Sequence, residues 1–386
     1  MPTSPTKPPA GVKRRATVVT WLHDNQVGYL DFGYRLKALA QTYALTVVSR
    51  RPLAEPELAV DAQVAIYRPT LTGTAALLWY WWQTARHLRA NPTDLVLHLC
   101  SHTAAVANLA VGAPQVVYWN EHPGHYLSSA RPLRSWFGAL MRALQYRGAR
   151  RATLVMPIGE AHHEDLLAHG CLPARLRVVP MGVADWFSAS QPAIAVLPAA
   201  AHPLRVIYTG GIHVDRGRDV MIDAVAVARR AGVDVQLTLI GANTQQAADC
   251  EARAARQGVS PAVQVLARIP GDQIPHYLAQ ADFGVCLWAD RTHWRFNPPT
   301  KLFEYLVAGL PVMASNIRTH TAYLTDGCDG YIFDYDSDSL AAAFARAWAS
   351  RDHWPAMRSA AAEKGRQYRW SEIEPVFLGA LGALLR

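Results

Sequence analysis

The stretch Asn297-Pro-Pro-Thr-Lys-Leu-Phe-Glu-Tyr-Leu-Val-Ala-Gly-Leu-Pro-Val-Met-Ala-Ser315 reads as a helix that passes directly into a buried strand. Pro298 and Pro299 stop any preceding element, and proline suits a first helical turn. The pattern predicts a helix over Lys301–Ala308, ended by Gly309, and a strand over Pro311–Ala314. A helix feeding a short apolar strand is the repeating piece of a parallel sheet with helices on its faces.

The same rhythm extends in both directions. Towards the N-terminus the sequence predicts strands over Leu204–Thr209, Val235–Ile240, Val263–Leu266 and Gly284–Leu287. Helices are predicted between them over Asp215–Ala231, Gln245–Gln257 and Pro275–Gln280. Towards the C-terminus a strand over Gly330–Phe333 precedes helical stretches around Ser339–Ser350, His353–Gln367 and Pro375–Leu385. Upstream, Trp186–Pro203 is rich in Ala, Pro and Ser and breaks the rhythm as an interdomain linker would. Before it the alternation runs again, with strands over Ala16–Leu22, Leu45–Ser49, Leu95–Leu99, Gln115–Trp119, Leu154–Pro157 and Leu176–Pro180. Helices are expected over Phe32–Thr42 and Thr103–Ala110.

The expected class is α/β, with two Rossmann-like, doubly wound parallel-sheet domains facing a cleft. The organisation follows as a disordered N-terminus over 1–15, an N-terminal domain over 16–185 and a linker over 186–203. A second domain covers 204–370. A C-terminal helix over 371–386 is expected to pack back on the first domain. The length of 386 residues suits two such cores, and 51% hydrophobic against 18% charged residues excludes a disordered chain.

Charge is distributed unevenly. Met1–Asp185 holds 19 Lys/Arg and 11 Asp/Glu, a net of +8, whereas the remainder holds 19 of each. The whole basic excess lies in the first half. That asymmetry points to an anionic contact, such as a membrane face or an acidic substrate, with plain solubility as the competing reading. The absence of a recognised nucleic-acid-binding motif argues against nucleic acid. Five cysteines in no C-x-x-C spacing argue against a disulfide framework or a zinc site. The uncharged run Leu95–Asn120 carries too many polar residues for a membrane span and reads as strand–helix–strand.

Two segments carry the chemistry of the second half. In Tyr208-Thr-Gly-Gly-Ile-His-Val-Asp-Arg-Gly217 a strand ends, glycines permit a tight turn, and a helix opens. Amides at a helix start attract an anion, and Gly210 and Gly211 let phosphate approach closely. Arg216 can add a charge-assisted contact. An ordinary strand–helix turn is the competing reading. In the second segment Lys301 falls in the first helical turn, where a cation opposes the helix dipole unless an anion lies nearby. Glu304 lies one turn on, placed to accept from two adjacent hydroxyls such as those of a ribose. A surface ion pair between Lys301 and Glu304 is the bland alternative.

Taken together, these segments closely resemble family 4 of the glycosyltransferases. Pro299–Tyr305 with Ala308–Val312 resembles its donor-site signature, and Gly210–Gly217 its phosphate loop. Val178–Val183 is similar to its strand and turn before the linker, and Ala281–Val285 to a late donor-domain strand. Asp326–Tyr331 resembles the loop before a later one. The resemblance covers most of residues 178–333 in the family's order.

It implies the GT-B fold, no cofactor, and a retaining, metal-independent transfer of a sugar from a UDP- or GDP-linked donor. The acceptor would be lipid-linked or a glycan, in polysaccharide or glycoconjugate synthesis. Glu304 would hold the donor ribose, and Arg216 and Lys301 would neutralise the diphosphate. Amides near Lys301, Leu302 and Phe303 would contact phosphate, Thr300 would belong to the same donor site, and Arg268 and Ile269 would lie near the base. Gly28 would correspond to the family's N-terminal glycine loop, which carries two glycines where this chain has one.

Two further departures stand out. Phe296 occupies the position where the family often has a first glutamate, which leaves the sugar's identity open. Gly211 stands where an arginine is common, and Arg291 or Arg295 could compensate. In the first half, Asn120-Glu121-His122 follows a strand, and either Glu121 or His122 could contact the sugar or orient the acceptor. The competing reading for the histidines is a loop-stabilising hydrogen bond.

Leu77–Arg89 and Arg131–Arg151 interleave aromatic and basic residues, as contact with an anionic membrane requires. A core-facing helix with a solvated face is the competing reading. The expected location is the cytoplasm, either free or at the inner face of the membrane. A catalytically inactive GT-B scaffold and a nucleotide-sugar epimerase of similar architecture are the rival functional readings.

Overall fold

The computed structural model describes residues 13–21, 29–53, 60–109, 112–124, 132–189 and 202–384. The expected disordered N-terminus lies outside them up to residue 12, as does Gly28. The chain divides into two compact units, Met1–Met181 with Ile373–Arg386, and Gly182–Glu372.

The first unit contains β1 (Arg14–Thr20), α1 (Tyr29–Thr42), β2 (Tyr43–Ser49), β3 (Ala62–Ala65), α2 (Gly73–Ala90), β4 (Leu95–His98), β5 (Gln115–Trp119), α3 (Pro132–Arg151), β6 (Leu154–Pro157) and α4 (Glu160–Ala168). The strands form one parallel sheet in the order β3-β2-β1-β4-β5-β6. β4, β5 and β6 are buried along their full length, because helices cover both faces of a parallel sheet. That burial accounts for the uncharged run Leu95–Asn120. Among the described residues no helix is long and apolar enough to cross a membrane.

Several expectations for this unit are revised. The helix expected near Thr103–Ala110 is a 3-10 segment over Ser101–Leu109. Leu176–Pro180 is not a strand, and only Leu176 bridges to Val155. The C-terminal segment of this unit is held by Arg35, whose guanidinium lies 3.9 Å from the Tyr118 ring centroid and 4.8 Å from that of Phe377. Arg35 also donates to the Tyr118 hydroxyl at 2.8 Å and the Pro180 carbonyl at 3.0 Å, which offsets the cost of burying its charge.

The second unit begins with α5 (Trp186–Ala189) and continues β7 (Leu204–Thr209), α6 (Arg218–Arg230), β8 (Val235–Ala242), α7 (Thr244–Arg256), β9 (Val263–Ala267), α8 (Ile274–Leu278) and β10 (Phe283–Cys286). It ends with α9 (Thr300–Val307), β11 (Val312–Ser315), α10 (Arg318–Thr321), β12 (Gly330–Phe333), α11 (Ser337–Ala349), α12 (Trp354–Gly365) and α13 (Trp370–Gly382), whose last part belongs to the first unit. Its strands are also all parallel, in the order β12-β11-β10-β7-β8-β9.

The two sheets therefore repeat one strand order. In each, the order reverses beside the unit's first strand, at β1/β4 and at β7/β10. Loops leaving the strand carboxyl ends diverge at such a reversal and open a crevice for ligands. In the second unit the loops leaving β7 and β10 are those of Gly210–Gly217 and Leu287–Pro299.

Candidate functional site

The second unit's site is built on β7. Gly210 has φ +116°, and a Cβ there would come within 3.2 Å of the Lys301 ammonium. Gly217, at φ +77°, caps the start of α6, and a Cβ there would overlap the Leu287 side chain. Both positions need glycine for conformation, and Gly217 needs it for space as well. Between them Val214–Arg216 forms one 3-10 turn.

α9 is fixed against this turn by Tyr305. Its hydroxyl accepts from the Thr209 backbone N–H at 2.9 Å and lies 3.0 Å from the Thr209 hydroxyl. Lys301 is consequently held largely out of solvent. It is 8% exposed, and its Nζ sits 3.4 Å from the centroid of the Tyr208 ring. The surface ion pair weighed for Lys301 and Glu304 is not formed: Lys301 turns to Tyr208 instead. Burial pushes the Lys301 ammonium down to about 7, with the Arg216 charge adding to the effect and that of Glu304 opposing it. Burial pushes the Glu304 carboxyl up to about 7, against the pull of Lys301.

Arg216 stands over a tryptophan platform. Trp288 and Trp294 stack with centroids 5.4 Å apart, and the guanidinium lies 5.2 Å and 5.5 Å from the two rings. Ser315 holds Trp288, accepting from its N–H at 2.9 Å and donating to its carbonyl at 2.8 Å. Arg295 is engaged bidentately by Asp290, at 2.5 and 2.7 Å. Arg291 lies over Trp294 at 4.9 Å and 4.0 Å from Asp215, beside the turn that holds Arg216. Of the two arginines considered as substitutes at Gly211, Arg291 is the one at this turn.

At the start of α9, the Leu302 N–H donates to the Pro299 carbonyl. The side chains of Leu302 and Phe303 are buried, while Thr300 and Lys301 supply the first amides of the helix, which lack intrahelical acceptors. Arg268 and Ile269 follow the edge strand β9, at the same carboxyl end of the sheet.

The first unit separates the two candidates after β5. His122 is buried, and its Nδ1 accepts from the Gly124 N–H at 3.0 Å. Its Nε2 faces the Tyr146 hydroxyl at 3.3 Å and Asp165 at 3.7 Å. The Tyr146 hydroxyl donates to Asp165 at 2.6 Å, and His169 stacks on the Tyr146 ring. Burial raises the Asp165 carboxyl, but hydrogen bonds from His122 and Tyr146 outweigh it and hold the group below its usual value. These are contacts of a buried network.

Glu121 is 36% exposed and lies 3.5 Å from His102 Nε2. His102 Nδ1 is 3.1 Å from the Cys100 thiol. Burial lowers His102 to about 4, so it stays neutral beside Glu121. The Ser101 N–H donates to Asn120 Oδ1 at 3.2 Å, and the Ser101 hydroxyl donates to the Glu121 carbonyl at 2.8 Å. Sequence reasoning missed Cys100, Ser101 and His102. The available signal was their position directly after β4, at the strand reversal. Among the described residues no group of His, Cys, Asp and Glu is placed to hold a metal.

Two units, each a six-stranded parallel sheet in one repeated order with helices on its faces, have the GT-B architecture. Residues 203–350 match the family model described as "Glycosyl transferases group 1", and residues 34–185 match that of "Glycosyltransferase Family 4". The chain belongs to glycosyltransferase family 4/group 1.

A curated relative, "Amylovoran biosynthesis glycosyltransferase AmsK" of Erwinia amylovora, is 24% identical over 196 residues, 50% of this chain and 47% of that protein. The match thus spans about half the relative's length. Among solved structures, Anabaena Alr3699/HepE in complex with UDP has a TM-score of 0.74 at 15% identity, covering 96% of this chain and 100% of that one. WaaG, "a glycosyltransferase involved in lipopolysaccharide biosynthesis", has a TM-score of 0.70 at 16% identity, covering 95% and 98%. At such identities these likenesses bear on the fold, and the fold is GT-B.

Proposed function

We propose that this protein is a retaining, metal-independent glycosyltransferase that takes a sugar from a UDP- or GDP-linked donor. The observation that carries the reading is Lys301. Its ammonium is buried beside the Gly210 turn with its charge destabilised. A buried cation is costly unless an anion meets it, and a diphosphate entering at Gly210 would do so. Arg216, on its tryptophan platform, adds a second positive charge.

Charge on a departing nucleoside diphosphate develops as the glycosidic bond breaks. Preorganised cations and helix-start amides stabilise that charge without reorganising. Glu304 would accept from the ribose hydroxyls, and Arg268 and Ile269 would flank the base. Glu121, beside neutral His102, would touch the sugar or the acceptor hydroxyl. HepE is described in complexes with UDP and with UDP-glucose, which favours UDP as the carrier.

The acceptor is proposed to be lipid-linked or a glycan, in keeping with relatives described by amylovoran and lipopolysaccharide biosynthesis. A cytoplasmic location at the inner membrane face suits the basic first unit, whose α3 exposes Trp136 and Leu140 among arginines. The test is release of UDP or GDP from a panel of nucleotide sugars with EDTA present. Release from one donor class supports the reading. Strict dependence on added divalent metal, or no release from any donor with nucleotide bound, contradicts it.

A further inference from the structure

The basic, aromatic stretch Leu77–Arg89 lies on α2, at the edge of the first unit's sheet. The edge strand β3 and the helix α2 border an open groove of about 410 Å³. Tyr67 and Trp79 form aromatic walls, and Gln83, Arg86, His87 and Asn91 line it with polar groups. Two arginines at its rim sit against these walls, Arg51 over Tyr67 at 5.2 Å and Arg68 over Trp79 at 5.2 Å, while Arg86 lies over the neighbouring Trp82 at 5.3 Å. α2 contains no acidic residue. The side chains of Arg68, Gln83 and Arg86 form no hydrogen bond or ion pair among the described residues. Among the described residues the groove thus combines aromatic surface, unengaged donors and arginines that no acidic side chain pairs.

Those three properties select a ligand class. Aromatic rings match the C–H face of a pyranose, and an amide and guanidinium match its hydroxyls. Guanidinium groups without acidic partners favour carboxylate or phosphate groups on the ligand. The concave, largely polar lining fits a chain molecule laid along the sheet edge better than a bilayer surface, which a convex apolar face would meet.

We propose that the groove between β3 and α2 binds an anionic glycan, with pyranose rings against Tyr67 and Trp79 and acidic groups met by Arg68 and Arg86. β3 lies four strand positions from β5, the strand that Glu121 follows, which is about 19 Å at ordinary strand spacing. The groove would therefore grip a glycan away from its reacting end. This role rests on the transferase reading, although glycan binding can be measured without it.

The test is isothermal titration of the full chain with oligogalacturonate as the acidic probe, maltoheptaose as the neutral one, and phosphatidylglycerol vesicles as the lipid surface. Tyr67→Ala and Arg86→Ala alter exposed side chains and leave the core intact. The expected result is binding of oligogalacturonate, with maltoheptaose about tenfold weaker and each variant lowering affinity about tenfold, the size of one good contact. Binding of UDP or GDP, measured on the same samples, should be unchanged in both variants and reports on the donor site separately. No binding of oligogalacturonate, or binding unaffected by both substitutions, overturns the proposal. So does vesicle binding that depends on Tyr67 and Arg86 while the glycan does not bind.

Discussion

Lys301 Nζ lies 3.4 Å above the Tyr208 ring centroid, in a side chain that is 8% exposed. The contact joins the helix α9 to the end of β7 and places a cation where the Gly210 turn has no side chain. A buried ammonium held by a ring face and no carboxylate is an arrangement that favours ligand binding over stability.

Lys301→Met should therefore stabilise the ligand-free protein while weakening nucleotide binding. Burial lowers the lysine's folded value to about 7 from 10.5, so folding disfavours its charged form. The penalty is fully present below pH 7, where the group is charged in both states, and fades as pH rises towards 10.5. The gain from methionine should be on the order of 2 kcal/mol at pH 6 and shrink by pH 10. Urea denaturation at the two pH values measures it.

Donor affinity should peak near neutral pH. Lys301 must be protonated to meet a diphosphate, and is lost as pH rises through about 7. Glu304 must be ionised to accept from ribose hydroxyls, and is lost as pH falls through about 7. Titrations of nucleotide binding between pH 5.5 and 8.5 should give a bell. Glu304→Gln should flatten its acid limb and Lys301→Met its alkaline limb, while lowering affinity overall.

On the proposed reading, Arg216 would meet charge that grows during the reaction. Arg216→Ala should lower kcat/KM by about 10²- to 10³-fold, the usual loss for one preorganised electrostatic contact. Arg216→Lys should recover part of it, since a compact ammonium matches neither the tryptophan platform nor a bidentate phosphate contact. Steady-state kinetics with the preferred donor provides the comparison.

Tyr305→Phe removes the hydroxyl that joins α9 to Thr209. The loss of these buried hydrogen bonds should cost about 1–3 kcal/mol, because the Thr209 N–H is left unsatisfied. Donor affinity should fall as well, through misplacement of Lys301 and Glu304. Calorimetric unfolding and nucleotide titration together separate the two effects.

Glu121 and His122 should behave differently although they are neighbours. His122→Ala breaks the buried contacts with Tyr146, Asp165 and Gly124 and should lower stability by about 1–3 kcal/mol. Glu121→Gln should leave stability within about 0.5 kcal/mol and reduce kcat, since its carboxylate is partly exposed. Thermal unfolding and turnover of the two variants check this pair.

Much of the second unit is legible from sequence. Its strands β7 to β12 are short apolar runs separated by helical periodicity, and each lies within a few residues of its expected place. The glycine turn and the Lys301–Glu304 spacing are local patterns, so they too can be read in one dimension. What holds them is not local. Tyr305 meets Thr209 across 96 residues, and Trp288 meets Ser315 across 27.

The first unit is harder for physical reasons. β3, Ala-Gln-Val-Ala, is short and largely exposed, so it carries no apolar run. α2 is rich in tryptophan, which reads as an unusual surface before it reads as a helix. His122 resembles a catalytic residue in sequence because it follows a strand end, yet Tyr146 and Asp165, on later helices, draw it into the interior.

The central claim is that the second unit binds a nucleotide-sugar diphosphate through Lys301. Binding of UDP, GDP and their sugar conjugates to the wild type and to Lys301→Met, measured by thermal shift with EDTA present, tests it most directly. The account predicts that one base class stabilises the wild type by about 2.7 kcal/mol at a hundred times its Kd, and that the variant needs at least about tenfold more ligand for the same effect. Equal stabilisation of both proteins, or none of the wild type by any nucleotide, would contradict it.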